Sequence, residues 1–316
     1  ALLAPVTVIA SSDREERAKP YFCFLSVQFT TLFGAFTALN FFHWFIFWEA
    51  ALVPAFFLIK LFGCGADRHR AALSFFLFTA LRSVLLLLGF VALFLQTGVL
   101  DFPALAELAR AGSLPAGLGS LYPWVFLAVI IGLWVKVPLF PLHLWQPAAY
   151  VEAPTAVSMI LTGVMSKMGV YAFLRIMIPI FPQGLRAYQE PLLVLALVTI
   201  LWGAFLALRQ SDLKRILAYS SLNHVAYCTL GIFVASAGTL PANLAEAPAL
   251  AIQGVTLQMF AHGVTAAGLF YLVGLLENRC GTRNVNELGG LGKAMPRLTA
   301  FFFLLTFCSL GLPFLA

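Results

Sequence analysis

The chain is 316 residues long, 61% hydrophobic and only 10% charged, with a formal net charge of +6. A soluble domain carries about 45–50% apolar and 25% charged residues, so this chain lacks the polar surface to cover a soluble particle of its size and belongs in a bilayer. The positive charge is therefore not a nucleic-acid signal; in membrane chains it marks the cytoplasmic loops.

A spanning helix needs about 20 apolar residues. In chain order, residues 1–10 read as the end of a helix already under way, and 11–19 as a basic loop. Spans are predicted at 20–39, 40–62, 72–96, 122–145, 154–180, 191–208, 213–235 and 249–276, and a last one begins at 298 and is cut at 316. No signal peptide is visible, and both ends read as cuts in a longer chain. Successive loops between these spans alternate between the two sides of the membrane. One side then collects about thirteen basic residues (Arg14, Arg17, Lys19, Lys60, Arg68, Arg70, Arg209, Lys214, Arg215, Arg279, Arg283, Lys293 and Arg297), the other roughly three (Arg110, Arg175 and Arg186). The crowded side is the cytoplasm or its equivalent. Five scattered cysteines (Cys23, Cys64, Cys228, Cys280 and Cys308) form no C-x-x-C pair, which argues against iron–sulfur or zinc ligation and against a disulfide framework. GGLG at 289–292 follows no strand and reads as a loop, not a dinucleotide fingerprint.

Six ionisable residues remain deep in the spans: Glu49, Arg82, Lys136, Lys167, His224 and His262. A charge at mid-bilayer costs about 2.5–3.5 kcal/mol even on the lenient insertion scale. A row of them at one depth implies mutual pairing or a hydrated path. Acids, amines and imidazoles together form a proton relay, whereas Arg82 holds its proton and serves as a fixed charge or a partner, with Glu49 the expected one. Lys136 opens KVPLFP, where Pro138 and Pro141 each remove a backbone donor. Carbonyls freed at membrane depth are tolerated only beside protein or water, so the break predicts a wet cavity next to Lys136. The fourth span counted from residue 20 is this Pro-broken one. The fourth counted from 191 ends in SLGLP at Pro313. The expected architecture is thus an all-α, polytopic transmembrane bundle. Residues 1–19 would be the end of a preceding helix and a loop, 20–180 a first five-helix unit, and 181–316 a second, inverted unit cut within its fourth helix.

The segments FWEAALVPAFFLI (47–59), KVPLFPLHLW (136–145), VEAPTAVSMILTGVMSKMGVYAFLR (151–175), SDLKRILAYSSLNHVAY (211–227) and QMFAHGVTAAGLFYLVG (258–274) resemble the antiporter-like proton-pumping subunits of respiratory complex I, NADH:quinone oxidoreductase, above all the M-type subunit called chain 4 in mitochondria. The resemblance implies two inverted half-channels and a relay of Glu49, Lys136, Lys167, His224 and His262. It also implies proton movement driven by electron transfer in partner subunits that hold the FMN, iron–sulfur clusters and quinone, with no cofactor in this chain. The implied partners are other complex I membrane subunits, including antiporter-like neighbours and the lateral helix of the largest of them, in a bacterial inner membrane. Where the family commonly reads W-L-P-D-A-H before VEAPT, this chain has WQPAAY, so Ala148 and Tyr150 replace an acid and a histidine. Arg82 falls where a small residue is usual. The alternatives are a cation/proton antiporter-like subunit of a hydrogenase, Mrp-type or inorganic-carbon uptake complex, and a non-pumping scaffold paralogue in which the charged row is only glue.

Overall fold

Apolar runs in oil satisfy their backbone only as helices or closed barrels, and this chain forms helices. The computed structural model describes residues 2–12, 14–236 and 244–312, and among them strand pairing is confined to two isolated bridges. The principal helices are α1 (Leu3–Ile9), α2 (Ala18–Thr37), α3 (Phe41–Phe62, hitched at Ala51), α4 (Arg68–Thr97), α5 (Phe102–Arg110), α6 (Tyr122–Trp134), α7 (Trp145–Glu152), α8 (Thr155–Ile180), α9 (Gln189–Leu208), α10 (Leu213–Ala235), α11 (Ala247–Cys280) and α12 (Pro296–Ser309). Each predicted span has its helix within a few residues, except 122–145, which the structure divides into α6, an irregular stretch and α7. Among the described residues six helical segments are long and apolar enough to cross a membrane. The helices α2 and α10, at 20 and 23 residues, match the length but are less apolar, since α10 carries Lys214, Arg215, Asn223 and His224. The sequence-predicted second break at Pro313 lies outside the described residues.

The helix α8 forms the centre. Within its apolar window 83% is buried, against 28% for α9, so α8 is enclosed by protein and α9 turns most of its surface outward. Around α8, α3 and α6 pack on α4, α9 and α11 pack on α10, α11 and α12 pack together, and α7 reaches both α4 and α10. Two π-helical turns, Leu161–Met165 and Phe173–Met177, widen α8.

The loops assigned to the basic side meet at one end of the bundle. Cys64 N–H donates to Glu152 O at 3.0 Å, and Arg283 reaches Val151 O, Asp212 and Glu277. Lys214, with no side-chain exposure, pairs with Glu277 at 3.2 Å. Removing Glu277 would leave a buried ammonium uncompensated, which is the costly way to break such a cluster.

One backbone knot occurs twice. Gly98 (φ 68°) ends α4, and three residues on, Asp101 bridges Asn40, the N-cap of α3, through Phe41 N–H to Leu100 O and Phe102 N–H to Leu39 O, both 2.9 Å. Gly281 (φ 70°) ends α11, and three residues on, Asn284 bridges Asp212, the N-cap of α10, through Leu213 N–H to Arg283 O at 3.0 Å and Val285 N–H to Ser211 O at 2.9 Å. The glycine supplies the left-handed turn that stops each long helix. Asn40 and Asp212 each accept a backbone N–H of the helix they start. The first knot lies at the start of α3. The second lies among the loops that meet the far end of α3, so the two sit at opposite ends of the bundle.

Candidate functional site

Between α6 and α7 the chain leaves helical geometry, and Lys136 sits in that stretch, 3% exposed. Its ammonium donates to Trp48 O at 2.7 Å and lies 4.1 Å from the Trp48 ring centroid. This satisfies the charge by a carbonyl dipole and a π face. Glu49, the next residue on α3, interacts with Lys136 electrostatically and has Ser83 of α4 beside it. Among the described residues no ion pair joins Glu49 to Lys136, and Glu49 Oε1 is buried without a hydrogen-bond partner. The break is held by side chains: Trp145 indole N–H donates to Val135 O at 3.0 Å, and Phe140 N–H donates to the Thr199 hydroxyl at 3.0 Å. The gap that Lys136 shares with Phe75, Trp145, Tyr150, Leu161, Met165 and Ser166 is too narrow for a water molecule, so it is not the wet cavity expected there.

A second cluster surrounds Lys167 on α8. Its ammonium donates to Thr162 O at 2.6 Å and to the Ser166 hydroxyl at 3.3 Å. Thr162 O lies in the first π turn, whose wider pitch leaves that carbonyl approachable. From there hydroxyls and rings form a chain. Thr162 Oγ1 and Ser221 Oγ are 2.9 Å apart, and Ser221 Oγ lies 3.1 Å from His262 Nε2. The His262 ring stacks on His224 at 4.6 Å between centroids. His224 is held by Gln258 at 3.0 Å on one ring nitrogen and by Ser309 at 3.2 Å on the other. It opens onto a cavity of about 650 Å³ lined also by Ser220, Asn223 and Thr265. The close crossing of α8 and α11 makes this possible. A Cβ on Gly263 would lie 3.0 Å from Gly163 O and 3.9 Å from Lys167 Cε, so only glycine lets the helices approach there without adjustment.

Glu49, Lys136, Lys167, His224 and His262 thus fall into two polar groups, Glu49–Lys136 and Lys167–His262–His224, and Lys136 and Ser166, the neighbour of Lys167, line the same narrow gap. Arg82 does not join them. Its guanidinium donates to Phe78 O of its own helix at 3.1 Å and lies 4.7 Å from the Phe78 ring. The neighbouring Ser83 occupies the place expected for Arg82, because the buried face of α4 runs Phe75, Thr79, Ser83, Leu86, Phe90 and Leu93 at helical spacing and leaves Arg82 at its edge. Sequence reasoning missed Thr162, Ser166, Ser221, Gln258 and Ser309. Their signal was a set of hydroxyl and amide residues, four of them on the three helices α8, α10 and α11 that carry Lys167, His224 and His262, and Ser309 at the end of α12. Among the described residues no cluster of three His, Cys, Asp or Glu is placed to hold a metal.

Residues 38–316 match the family described as NADH:quinone oxidoreductase/Mrp antiporter, transmembrane. The chain belongs to this family. It is 36% identical to NADH-quinone oxidoreductase subunit M of Rhodobacter capsulatus over 98% of its own length, and 40% identical to F(420)H(2) dehydrogenase subunit M of Methanosarcina mazei over 95%. It spans 59% of each of those relatives. Its fold superposes on a chain of respiratory complex I from Thermus thermophilus with a TM-score of 0.83 at 32% identity, covering 99% of this chain and 63% of that one. A chain of an archaeal membrane-bound sulfane sulfur reductase gives 0.85 at 23% identity, covering 99% of this chain and 62% of that one, a likeness of fold. This member of the NADH:quinone oxidoreductase/Mrp antiporter family is a multi-pass integral membrane chain.

Proposed function

We propose that the chain is the proton-translocating part of an M-type membrane subunit of an NADH:quinone oxidoreductase. In this reading protons cross through Glu49, Lys136, Lys167, His262 and His224, driven by electron transfer in partner subunits. The observation that carries it is the polar cluster in which Lys167 sits on Thr162 O, hydrogen bonds join the Thr162 hydroxyl, Ser221 and His262, and the His262 ring stacks on His224, in the middle of a bundle of spanning helices. Titratable groups gathered at that depth serve transfer, since each costs stability. The twin knots at opposite ends of the bundle support two inverted units, near 20–180 and 181–316. FMN, iron–sulfur clusters and quinone belong to the partners, and the membrane is a bacterial inner membrane. The 40% identity to the F(420)H(2) dehydrogenase subunit favours a second reading in which the same subunit serves a complex with that electron donor.

Lys167→Gln tests the relay, because glutamine keeps a donor for Thr162 O but carries no transferable proton. Proton transport per electron in vesicles holding the assembled complex should fall by about tenfold or more. Transport at the wild-type ratio would sink this reading.

The partners proposed are neighbouring antiporter-like subunits and the lateral helix of the largest of them. Arg82 bears on where a neighbour packs. Near the midpoint of α4, with only its own helix for company, its guanidinium is poorly served by lipid, and a carboxylate on an adjoining subunit would complete it. Arg82→Leu should then lower the amount of neighbouring subunit that copurifies by several-fold, while insertion of this chain is unaffected. Unchanged copurification would mean that Arg82 faces lipid.

A further inference from the structure

We propose that the Tyr150 hydroxyl is the proton-passing link between Lys136 and the Lys167 group, and that it works as a rotating switch. This rests on the two lysines being proton carriers. Tyr150 lies on α7, 1% exposed, and lines the same narrow gap as Lys136 and Ser166. With no room for water in that gap, a proton leaving Lys136 toward Lys167 must use a side chain, and Tyr150 Oη and Ser166 Oγ are the hydroxyls that line it. The Tyr150 hydroxyl donates to Leu161 O at 2.9 Å, while the side chains of Gln146 and Ser166 lie close enough to interact with it. Ser166 in turn donates to Thr162 O at 2.8 Å and accepts from Lys167 at 3.3 Å.

Both hydroxyls therefore aim their protons at backbone carbonyls, which accept a hydrogen bond but pass no proton on. As drawn, the path is closed. Rotation about two C–O bonds opens it once the Lys136 ammonium swings from Trp48 O toward Tyr150 Oη and the Tyr150 and Ser166 hydroxyls close to hydrogen-bond range. Tyr150 Oη–H then points at Ser166 Oγ, and Ser166 Oγ–H points at a neutral Lys167 Nζ. The ammonium of Lys136 gives its proton to Tyr150 Oη as the phenolic proton moves to Ser166 Oγ and the serine proton moves to Lys167. Lys136 ends as the amine and Lys167 as the ammonium; phenol and alcohol are unchanged in composition, and the charge is conserved. The π turn matters because Leu161 and Thr162 both belong to it, so the two parking carbonyls lie side by side. A buried tyrosine needs some partner for its hydroxyl in any case. What distinguishes a link from an anchor is that Tyr150 shares the gap with Lys136 on one side and Ser166 on the other.

Tyr150→Phe removes one oxygen and keeps the ring; Tyr150→His restores a group that can carry a proton. In vesicles holding the full complex, Phe should lower proton transport per electron by about tenfold or more at normal subunit content, and His should recover it to within about twofold. Wild-type transport with Phe overturns the proposal, and so does an equal loss with Phe and His at normal content, since that is the behaviour of a packing residue. Should the Phe variant fail to assemble, Ser166→Ala interrupts the same path, and normal transport there overturns it equally. Lys136→Ala separates the two levels of inference. If that variant is inactive while Tyr150→Phe is normal, only the link falls; if Lys136→Ala transports normally, the relay and the link fall together.

Discussion

Lys136→Ala is expected to abolish proton transport while the subunit still inserts and assembles. The ammonium is what α6 and the break contribute to transfer at this depth, and no other amine or carboxylate lies between Tyr122 and Trp145. His143 is in the same stretch, but both its ring nitrogens are buried without partners, so no hydrogen-bonded path leads from it. Folding should tolerate the change. Alanine has the best helix propensity, the cost of about 2.5–3.5 kcal/mol for a mid-membrane charge is relieved, and the break keeps its ties through Trp145 and Thr199. Lys136→Arg should also fail, because a guanidinium does not release its proton. The measurement is proton transport per electron in vesicles, together with subunit content by immunodetection. Normal transport by both variants in an intact complex would make Lys136 a structural cation held by Trp48.

Much of this molecule is legible in its sequence for physical reasons. Apolar length sets the spans, and the asymmetry of basic residues sorts their loops onto two sides; the loops counted onto one side do meet, through Cys64, Glu152, Asp212 and Arg283. Lys136 beside two prolines announces the broken helix, because few other arrangements tolerate a lysine and missing donors together in oil. What was not legible follows from rotation and local winding. Arg82 and Ser83 differ by about 100° around α4, and the louder residue drew the assignment to Glu49, although the apolar period from Phe75 to Leu93 already turned Ser83 inward. The π turns of α8 have no sequence signature, yet the first lays bare the carbonyls that hold Lys167 and Tyr150. Hydroxyls such as Thr162 and Ser221 are equally common as small packing residues in membrane helices, so their role shows only when their neighbours are known. Tyr150 did stand out as a departure from the family pattern, but its meaning depends on the gap it lines.

Gly98 with Asp101 and Gly281 with Asn284 share one spacing, and each partner is the N-cap of a helix, Asn40 or Asp212. The sequence contains all six residues, yet glycine followed by a polar residue is too common to weigh until the bridge is seen. Once seen, it pins the two long helices α4 and α11 to the starts of α3 and α10. Glu49 and Ser221 each lie nine residues past one of these N-caps, Glu49 interacting with Lys136 and Ser221 bonded to Thr162 and His262.

Gly263→Leu is expected to stop proton transport from a position that carries no proton. Where α8 crosses α11, a Cβ at 263 would already meet Gly163 O at 3.0 Å, and leucine adds three more carbons in a space bounded by Lys167. The obstacle is backbone, which cannot swing aside as a flexible side chain can, so the helices must part. Overpacking of this kind costs about 1–3 kcal/mol and more when backbone must shift, enough to lower assembly without preventing insertion. Function should suffer first. Ser221 bridges Thr162 and His262 through contacts of 2.9 and 3.1 Å, and separation by even about 1 Å takes these beyond hydrogen-bond reach. Gly263→Ala, which asks only a few tenths of an ångström, should retain most transport, so the series Gly, Ala, Leu should fall in order of volume. Proton transport per electron, normalised to assembled subunit, reads the series. Wild-type transport by the leucine variant would show that α8 and α11 do not touch at this point, and the path from Lys167 to His262 would have to run elsewhere.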